Sequence, residues 1–436
     1  MHALVIAIGS HGDVHPMLGL ARTLADRGHR VTFVTSGYFE DLARRAGLDD
    51  FVPLGTVEEF RESLANPDLW HPLRAFKVVF VDYVLPWTRQ LYDIVTEHAS
   101  PAGETIVVAP SLALGARLAQ DKHGFPTATV HLAPGVFRTV HEVPVMGGAA
   151  LRSWMPTWWK RGFWKLADFA MIERTLAPAV NEIRAEIGLP PAKGILDQWW
   201  HSPQLVIGMF PEWFGPRQPD WPKQVRLTGF PMYDERDVEP VSAELESFLA
   251  AGDKPIAFTP GSAMTFGQDF FRESVGACER LNHRGLLLSR HREHVPQNLP
   301  PSVQHFDYAP FSRVLPRCAA LVHHGGVGST AQALAAGIPQ LVMPMAHDQY
   351  DNGARVARLG VGASIARRGY RAKRVAAKLG ALIEDNTVAS ACRQVAARFV
   401  GVDALAETCE LIEQLYESQQ RQQSDPRGFA ALRPGA

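Results

Sequence analysis

Ala320-Leu-Val-His-His-Gly-Gly-Val-Gly-Ser-Thr330, Ala331-Gln-Ala-Leu-Ala-Ala-Gly-Ile-Pro339 and Gln340-Leu-Val-Met-Pro-Met-Ala-His-Asp-Gln-Tyr-Asp-Asn352 follow one another without a break. They read as strand, glycine turn, helix, strand and polar loop. Leu321 and Val322 close an apolar run, and Gly325, Gly326 and Gly328 let the backbone turn sharply. Ser329 and Thr330 open a helix that Ala331, Ala333, Leu334 and Ala335 carry to a stop at Gly337. Free amides at a helix start, two hydroxyls and the flanking His324 suit a diphosphate. His347, Asp348, Gln349 and Asn352 sit just past the next apolar run. A loop leaving a parallel strand at its carboxyl end is where ligands of α/β sheets lie. The turn is neither a Walker motif nor a Gly-x-Gly-x-x-Gly fingerprint.

The same alternation runs through the rest of the chain. Leu4-Val-Ile-Ala-Ile8 has the length of a buried strand and ends at Gly9 and Ser10. Asp13 is read as preceding a helix with Pro16 in its first turn, stopped by Gly28. Further strands are expected near 31–35, 51–54, 106–109 and 127–131, with a helix near 39–46. Between 143 and 213 lie seven of the ten tryptophans: Trp154, Trp158, Trp159, Trp164, Trp199, Trp200 and Trp213. Core packing accounts for more than half of them; the remainder line an apolar cleft or touch a membrane surface. Pro211, Pro216, Pro219, Pro222 and Pro231 mark an extended crossing. A second α/β series starts at Pro255-Ile-Ala-Phe-Thr259, with strands near 286–288, 303–306, 321–322 and 340–343. Leu405, Cys409, Ile412 and Tyr416 share one helix face.

These patterns predict an α/β protein of two Rossmann-like doubly wound domains facing a central cleft. The boundaries are a first domain at 1–215, a linker at 216–234 and a second domain at 235–400. A helix at 401–418 packs back on the first domain, and 419–436 form a disordered tail. A chain of 436 residues is long enough for two cores. Hydrophobic content of 46% and charged content of 20% exclude general disorder, and a net charge of −1 excludes a basic nucleic-acid binder. Cys278, Cys318, Cys392 and Cys409 show no metal-ligand spacing and fit a reduced, cytoplasmic setting. No stretch reads as a membrane span, which leaves peripheral membrane contact open.

The pairing of the glycine turn with the Asp348-Gln349 loop resembles the signature of family 1 glycosyltransferases, nucleotide-sugar enzymes of the GT-B fold. The likeness covers the whole chain. It is strongest to the rhamnosyltransferases of bacterial rhamnolipid synthesis, through Met1-His-Ala3, Gly12-Asp-Val14, Trp200-His-Ser-Pro-Gln204, Phe210-Pro-Glu-Trp-Phe214, Asp220-Trp-Pro222, Tyr308-Ala-Pro310 and Ala346-His-Asp-Gln349. The resemblance implies that His324 bonds the donor's first phosphate, while Gly326, Gly328, Ser329 and Thr330 take the outer one through amides and hydroxyls. Ser262 approaches the phosphates from the neighbouring loop. Tyr308 stands where plant members stack the base on a Trp. Gln332 replaces a ribose-gripping Glu, a departure that keeps hydrogen bonding and loses charge. Asp348 and Gln349 match the pair that holds sugar hydroxyls, and His347 beside them favours a deoxysugar.

Asp13 is the expected catalytic base, in the position where plant relatives carry a His. His11 and His15 compete for that role and are placed with Trp154 and Trp158 in the acceptor site. The helix start plus His324 replaces a metal as diphosphate clamp, since no Asp-x-Asp pair lies at a strand end. No cofactor or metal is expected beyond the nucleoside-diphosphate sugar as co-substrate. The expected reaction moves L-rhamnose from dTDP-rhamnose, with inversion, to a 3-hydroxyacyl lipid, an apolar hydroxylated acceptor. An acyltransferase partner and a place on the cytoplasmic face of the inner membrane fit this reading. A UDP-glucose enzyme acting on sterols, macrolides or phenols stays open as the alternative, and a non-catalytic protein of the same fold is the rival class.

Overall fold

The computed structural model describes residues 1–424 except 72–73, 101–102, 148–150, 152–153, 236–240, 263 and 265–266. The first sheet holds β1 (His2–Ile6), β2 (Arg30–Thr35), β3 (Phe51–Pro53), β4 (Thr105–Pro110), β5 (Thr127–His131), β6 (Leu205–Gly208) and β7 (Val225–Leu227). Its order is β3-β2-β1-β4-β5-β6-β7, with the pairings parallel. The second sheet holds β8 (Ile256–Thr259), β9 (Gly285–Leu288), β10 (Val303–Phe306), β11 (Ala320–His323), β12 (Gln340–Val342) and β13 (Gly362–Ser364). Its order is β10-β9-β8-β11-β12-β13, again parallel. Strand order therefore reverses direction between β1 and β4 in one sheet and between β8 and β11 in the other. Those two switch points are where loops splay apart and ligands enter.

The continuous apolar run of β1 is needed because both of its faces are covered. Leu4 and Ile6 point into one core with Val107, Leu114 and Trp199. Ala3 and Val5 point into another with Val14, Leu18, Phe33 and Ile106. In the second sheet Leu321 pairs with Gln340 and Ala257 and is fully buried. This register brings the carboxyl ends of β8 and β11 side by side.

Three expectations need correction. The first helix is His11–Asp26, so Asp13 lies inside it and Ser10 is its N-cap. The proline-marked crossing at 216–234 is more than a linker, since β7 sits within it and is the seventh strand of the first sheet. Three residues between prolines carry too little alternation to announce a strand, yet Val225 and Leu227 have an edge to pair with. The last helix is Ala404–Ser424, six residues past the boundary expected for the tail. The rest of that tail, 425–436, lies outside the described residues. This helix crosses back to the first domain, where Cys409 and Ile412 are buried. Glu413 accepts from Arg27 at 2.6 Å and lies 2.8 Å from His29 Nε2. Thr408 and Thr228 hydroxyls share a hydrogen bond of 2.8 Å beneath them.

Candidate active site

The turn after β1 is built around one carboxylate. Gly9 has φ +129°, and a Cβ there would come within 2.3 Å of the Asp13 carboxylate. Ser10 donates to that carboxylate through its amide at 2.9 Å and its hydroxyl at 3.3 Å. A capping box results, and its anion sits at the positive end of the helix. Burial nonetheless pushes the Asp13 carboxyl up to about 6, against the pull of the two Ser10 bonds. Near pH 7 most of it is ionised, and it is a stronger base than an ordinary Asp.

The two flanking histidines do not share this role. Burial, then the nearby His15 and Arg290, hold His11 down at about 3. Its ring stands edge-on to Phe39 at 4.9 Å, and its Nε2 faces Arg290 of the second domain at 3.5 Å. His15 is committed to a carboxylate of its own. Its Nε2 lies 2.8 Å from the buried carboxylate of Glu235, which also attracts Arg45. One helical turn on from His11, its ring stands edge-on to the His11 ring at 5.7 Å, and an acid distant in sequence claims its Nε2.

In the second domain the switch-point loops hold an imidazole between glycine backbones. A Cβ on Gly261 would lie 2.6 Å from the His324 ring, and one on Gly326 would lie 2.5 Å from it. The His324 Nδ1 is buried without a hydrogen-bond partner among the described residues. Burial, then His347, lowers its pKa to about 4, so the ring is neutral. The expected bond to phosphate is therefore one from a neutral donor. His323 differs, because both of its nitrogens are engaged: one with Gln340 at 3.0 Å, the other with the Gly325 amide at 3.1 Å.

Gly326 caps the helix Val327–Ala336, whose first turn carries no acid. Thr330 uses its amide and its hydroxyl on the Gly326 carbonyl, both at 3.0 Å. It is fully buried. This corrects the placing of Thr330 as a phosphate ligand. The amides left at the helix end are those of Val327, Gly328 and Ser329. Val327 was missed because a backbone donor leaves no mark on residue type. Gln332 lies further along this helix, 8% exposed.

The polar loop is fastened to this turn. Asn352 donates to the Gly325 carbonyl at 2.9 Å and to Asp348 at 2.8 Å. Gln349 accepts from the amides of Met345 and Ala346 at 2.9 and 3.2 Å, so its oxygen holds its own loop and its NH2 group is what remains to bond a sugar. Burial pushes Asp348 up to about 6, and the negative charge of Asp13 adds to the rise, which places the two carboxyls in one electrostatic neighbourhood. His347 takes φ +56° and stands edge-on to Trp70 of the first domain at 6.0 Å. Ser262 is exposed on the loop after β8. The Tyr308 hydroxyl donates to the Asp234 carbonyl at 2.6 Å, and Arg290 lies 5.3 Å over its ring.

The domains also meet at one end of the cleft. Val145 donates its amide to Asp351 at 3.0 Å, and Glu142 pairs with Arg355 at 3.1 Å and Arg358 at 2.7 Å. Trp154 and Trp158, placed by the sequence in the acceptor pocket, are 77% and 71% exposed. They belong to an outer surface. Helical spacing shows that residues share a face and says nothing of what covers it.

Comparisons with known proteins agree with this geometry. Residues 3–140 match the glycosyltransferase family 28 N-terminal domain, and residues 281–415 match the erythromycin biosynthesis protein CIII-like C-terminal domain. An O-mycaminosyltylonolide 6-deoxyallosyltransferase of Streptomyces fradiae is 29% identical over 426 residues, covering 96% of this chain and 98% of that one. A sterol 3-beta-glucosyltransferase of Arabidopsis thaliana is 27% identical, covering 84% of this chain and 58% of its own. Among solved structures, the glycotransferase of kitacinnamycin superposes with a TM-score of 0.70 at 21% identity, covering 95% of this chain and 99% of that one. The spinosyn rhamnosyltransferase complexed with thymidine diphosphate gives 0.66 at 16% identity, with 95% and 100% covered. The first domain thus matches a glycosyltransferase family over its switch point, and the whole chain aligns with sugar-transferring enzymes end to end: it is a nucleotide-sugar-dependent glycosyltransferase of the GT-B fold.

Proposed function

We propose that the enzyme transfers L-rhamnose from dTDP-rhamnose, with inversion, to the hydroxyl of an apolar acceptor of the 3-hydroxyacyl lipid class. The observation that carries the chemistry is the acid at one switch point set against the acid-free helix start at the other. Asp13 takes the acceptor's proton. The freed oxygen forms a bond to the anomeric carbon as the bond from that carbon to the diphosphate breaks. The diphosphate leaves with the bonding electrons and is held by the amides of Val327, Gly328 and Ser329 and by His324. In this reading the helix end carries the charge that a metal would otherwise neutralise. Asp348 and the Gln349 amide group orient the sugar, and closure of the two domains excludes water.

The deoxysugar donor is supported by the subfamily resemblance and by a relative named for 6-deoxyallose transfer. That relative also favours a second reading, in which the acceptor is a macrolide. A matrix of dTDP-rhamnose and UDP-glucose against 3-hydroxyacyl lipids of rising chain length, a macrolide aglycone and a sterol separates the two. The expected result is diphosphate release with dTDP-rhamnose and the lipids, with affinity climbing as methylenes are added, by roughly 0.8 kcal/mol for each one buried. Preference for the macrolide would install the second reading, and preference for UDP-glucose would remove rhamnose.

A further inference from the structure

The outer surface that took Trp154 and Trp158 out of the acceptor site carries more than two tryptophans. The helix Thr157–Ala167 runs directly into a π-helical turn, Asp168–Glu173. Along them Trp154, Trp158, Trp159, Leu166, Phe169 and Met171 are between 41% and 77% exposed. Trp158, Leu166 and Phe169 recur at helical spacing on one stripe, and Arg161 and Lys165 run along its flank. A monomer rarely leaves so many large apolar side chains together in water.

The charges on this surface are sorted by sign. Between Trp154 and Arg174 the exposed charged residues are Arg161, Lys165 and Arg174. Both acids of the stretch are turned to internal partners: Asp168 pairs with Arg138, and Glu173 accepts the Ile195 amide at 2.9 Å. Lys160 points inward as well, donating to the Val140 carbonyl at 3.2 Å. Arg174 lies 5.1 Å over the Phe169 ring. The neighbouring helical turn Ile195–Trp199 adds one exposed acid, Asp197, which leaves the face net positive. A protein partner's apolar patch would match the aromatics and leave the cations without a role. Aromatic rings at the depth of lipid headgroups, with basic side chains reaching the phosphates, use both.

We propose that the surface formed by 154–174 is an interfacial anchor that seats the enzyme on an anionic lipid bilayer. Trp158, Leu166 and Phe169 enter the headgroup boundary, while Arg161 and Lys165 meet lipid phosphates. Among the described residues no helix is long and apolar enough to cross a membrane, so the contact is peripheral. The anchor rests on this surface and not on the choice of acceptor.

Co-sedimentation of the full chain with vesicles tests it, using pure phosphatidylcholine and phosphatidylcholine with about a third phosphatidylglycerol. These vesicles contain no hydroxyacyl acceptor, so the reading is independent of turnover. The wild type is expected to pellet with the anionic vesicles and weakly with the neutral ones. Arg161→Gln with Lys165→Gln should lower the partition about 25-fold, at about fivefold for each cation. Trp158→Ser with Phe169→Ser should lower it for both compositions, while thymidine diphosphate affinity by calorimetry stays as in the wild type. Equal wild-type binding to the two vesicle types, or none to either, would overturn the proposal. So would a wild-type dimer that Trp158→Ser with Phe169→Ser makes monomeric without any vesicle binding, since that assigns the face to a second copy of the chain.

Discussion

Two helix starts face the cleft, and they share one backbone plan, with a glycine before the N-cap and another at the second helical position. Gly9-Ser10-His11-Gly12-Asp13 follows β1, and Gly325-Gly326-Val327-Gly328-Ser329 follows β11. Gly9 and Gly325 both take positive φ, +129° and +97°, and the next residue in each is the N-cap. At the third position one helix carries Asp13 and the other Ser329. The first fills its positive end with its own anion and so cannot receive a phosphate. The second leaves that end open. In the proposed reading one backbone plan serves a base in one domain and an anion site in the other, and the charge at the third position separates them.

Removing the anion from the first start should have the largest effect. Asp13→Asn keeps the size and much of the capping but cannot take a proton. Turnover should fall at least about a hundredfold, while donor affinity and fold stay near normal. Near wild-type turnover, together with an inactive His11→Ala, would move the role to His11. The wild-type rate should also fall as pH drops through about 6, where the Asp13 carboxyl gains its proton. An ordinary Asp would hold the rate down to about pH 4. The stability sign is separate. Because the folded protein binds this proton more tightly than the unfolded chain, Asp13 contributes most below about pH 4, and that contribution is lost as pH rises through about 6.

Adding an anion to the second start sharpens the comparison from the other side. Ser329→Asp copies the first helix and should stabilise the second by about 0.3–1 kcal/mol. Thymidine diphosphate binding should weaken about a hundredfold or more, because a carboxylate now lies where the outer phosphate goes. Unchanged affinity by calorimetry would mean that this helix end is not the phosphate site. His324→Ala should cost less, roughly ten- to a hundredfold in donor affinity, for one hydrogen bond to a charged group. If calorimetry gives equal affinity for mutant and wild type, the buried Nδ1 has some other partner.

How legible all this was depends on whether the feature is local. The glycine turns, the apolar runs of β1 and β11 and the helix stop at Gly337 each follow from a few neighbouring residues, so the fold could be read. Asp13, His324 and Asp348 were singled out the same way, each in the loop or first helical turn that follows a strand. What escaped depends on contacts distant in sequence or on the backbone. Glu235 takes His15 across 220 positions of chain, as the two residue numbers show. Asn352 binds Gly325 across 27 positions, and Arg290 reaches into the first domain. The pairing of β7 depends on an edge that β6 provides. Trp154 and Trp158 were assigned to a pocket because composition records hydrophobicity and not cover.

The smallest expected effect concerns Thr330, where the resemblance and the geometry disagree. A hydroxyl beside Ser329 at the start of a helix invites a role in phosphate binding. Here the Thr330 side chain is fully buried, one residue past the open end, and its hydroxyl is bonded to the Gly326 carbonyl. Its amide is used on the same oxygen. Thr330→Val keeps the branched shape and removes only the hydroxyl. It should leave thymidine diphosphate affinity within about threefold of wild type while lowering stability by about 1 kcal/mol, the usual value of one intramolecular hydrogen bond. Thermal unfolding reads the second quantity and calorimetry the first. A tenfold loss of affinity at unchanged stability would show that Thr330 turns outward to the ligand. The helix start would then have two hydroxyls in the site, and the comparison with the first helix would rest on more than position 329.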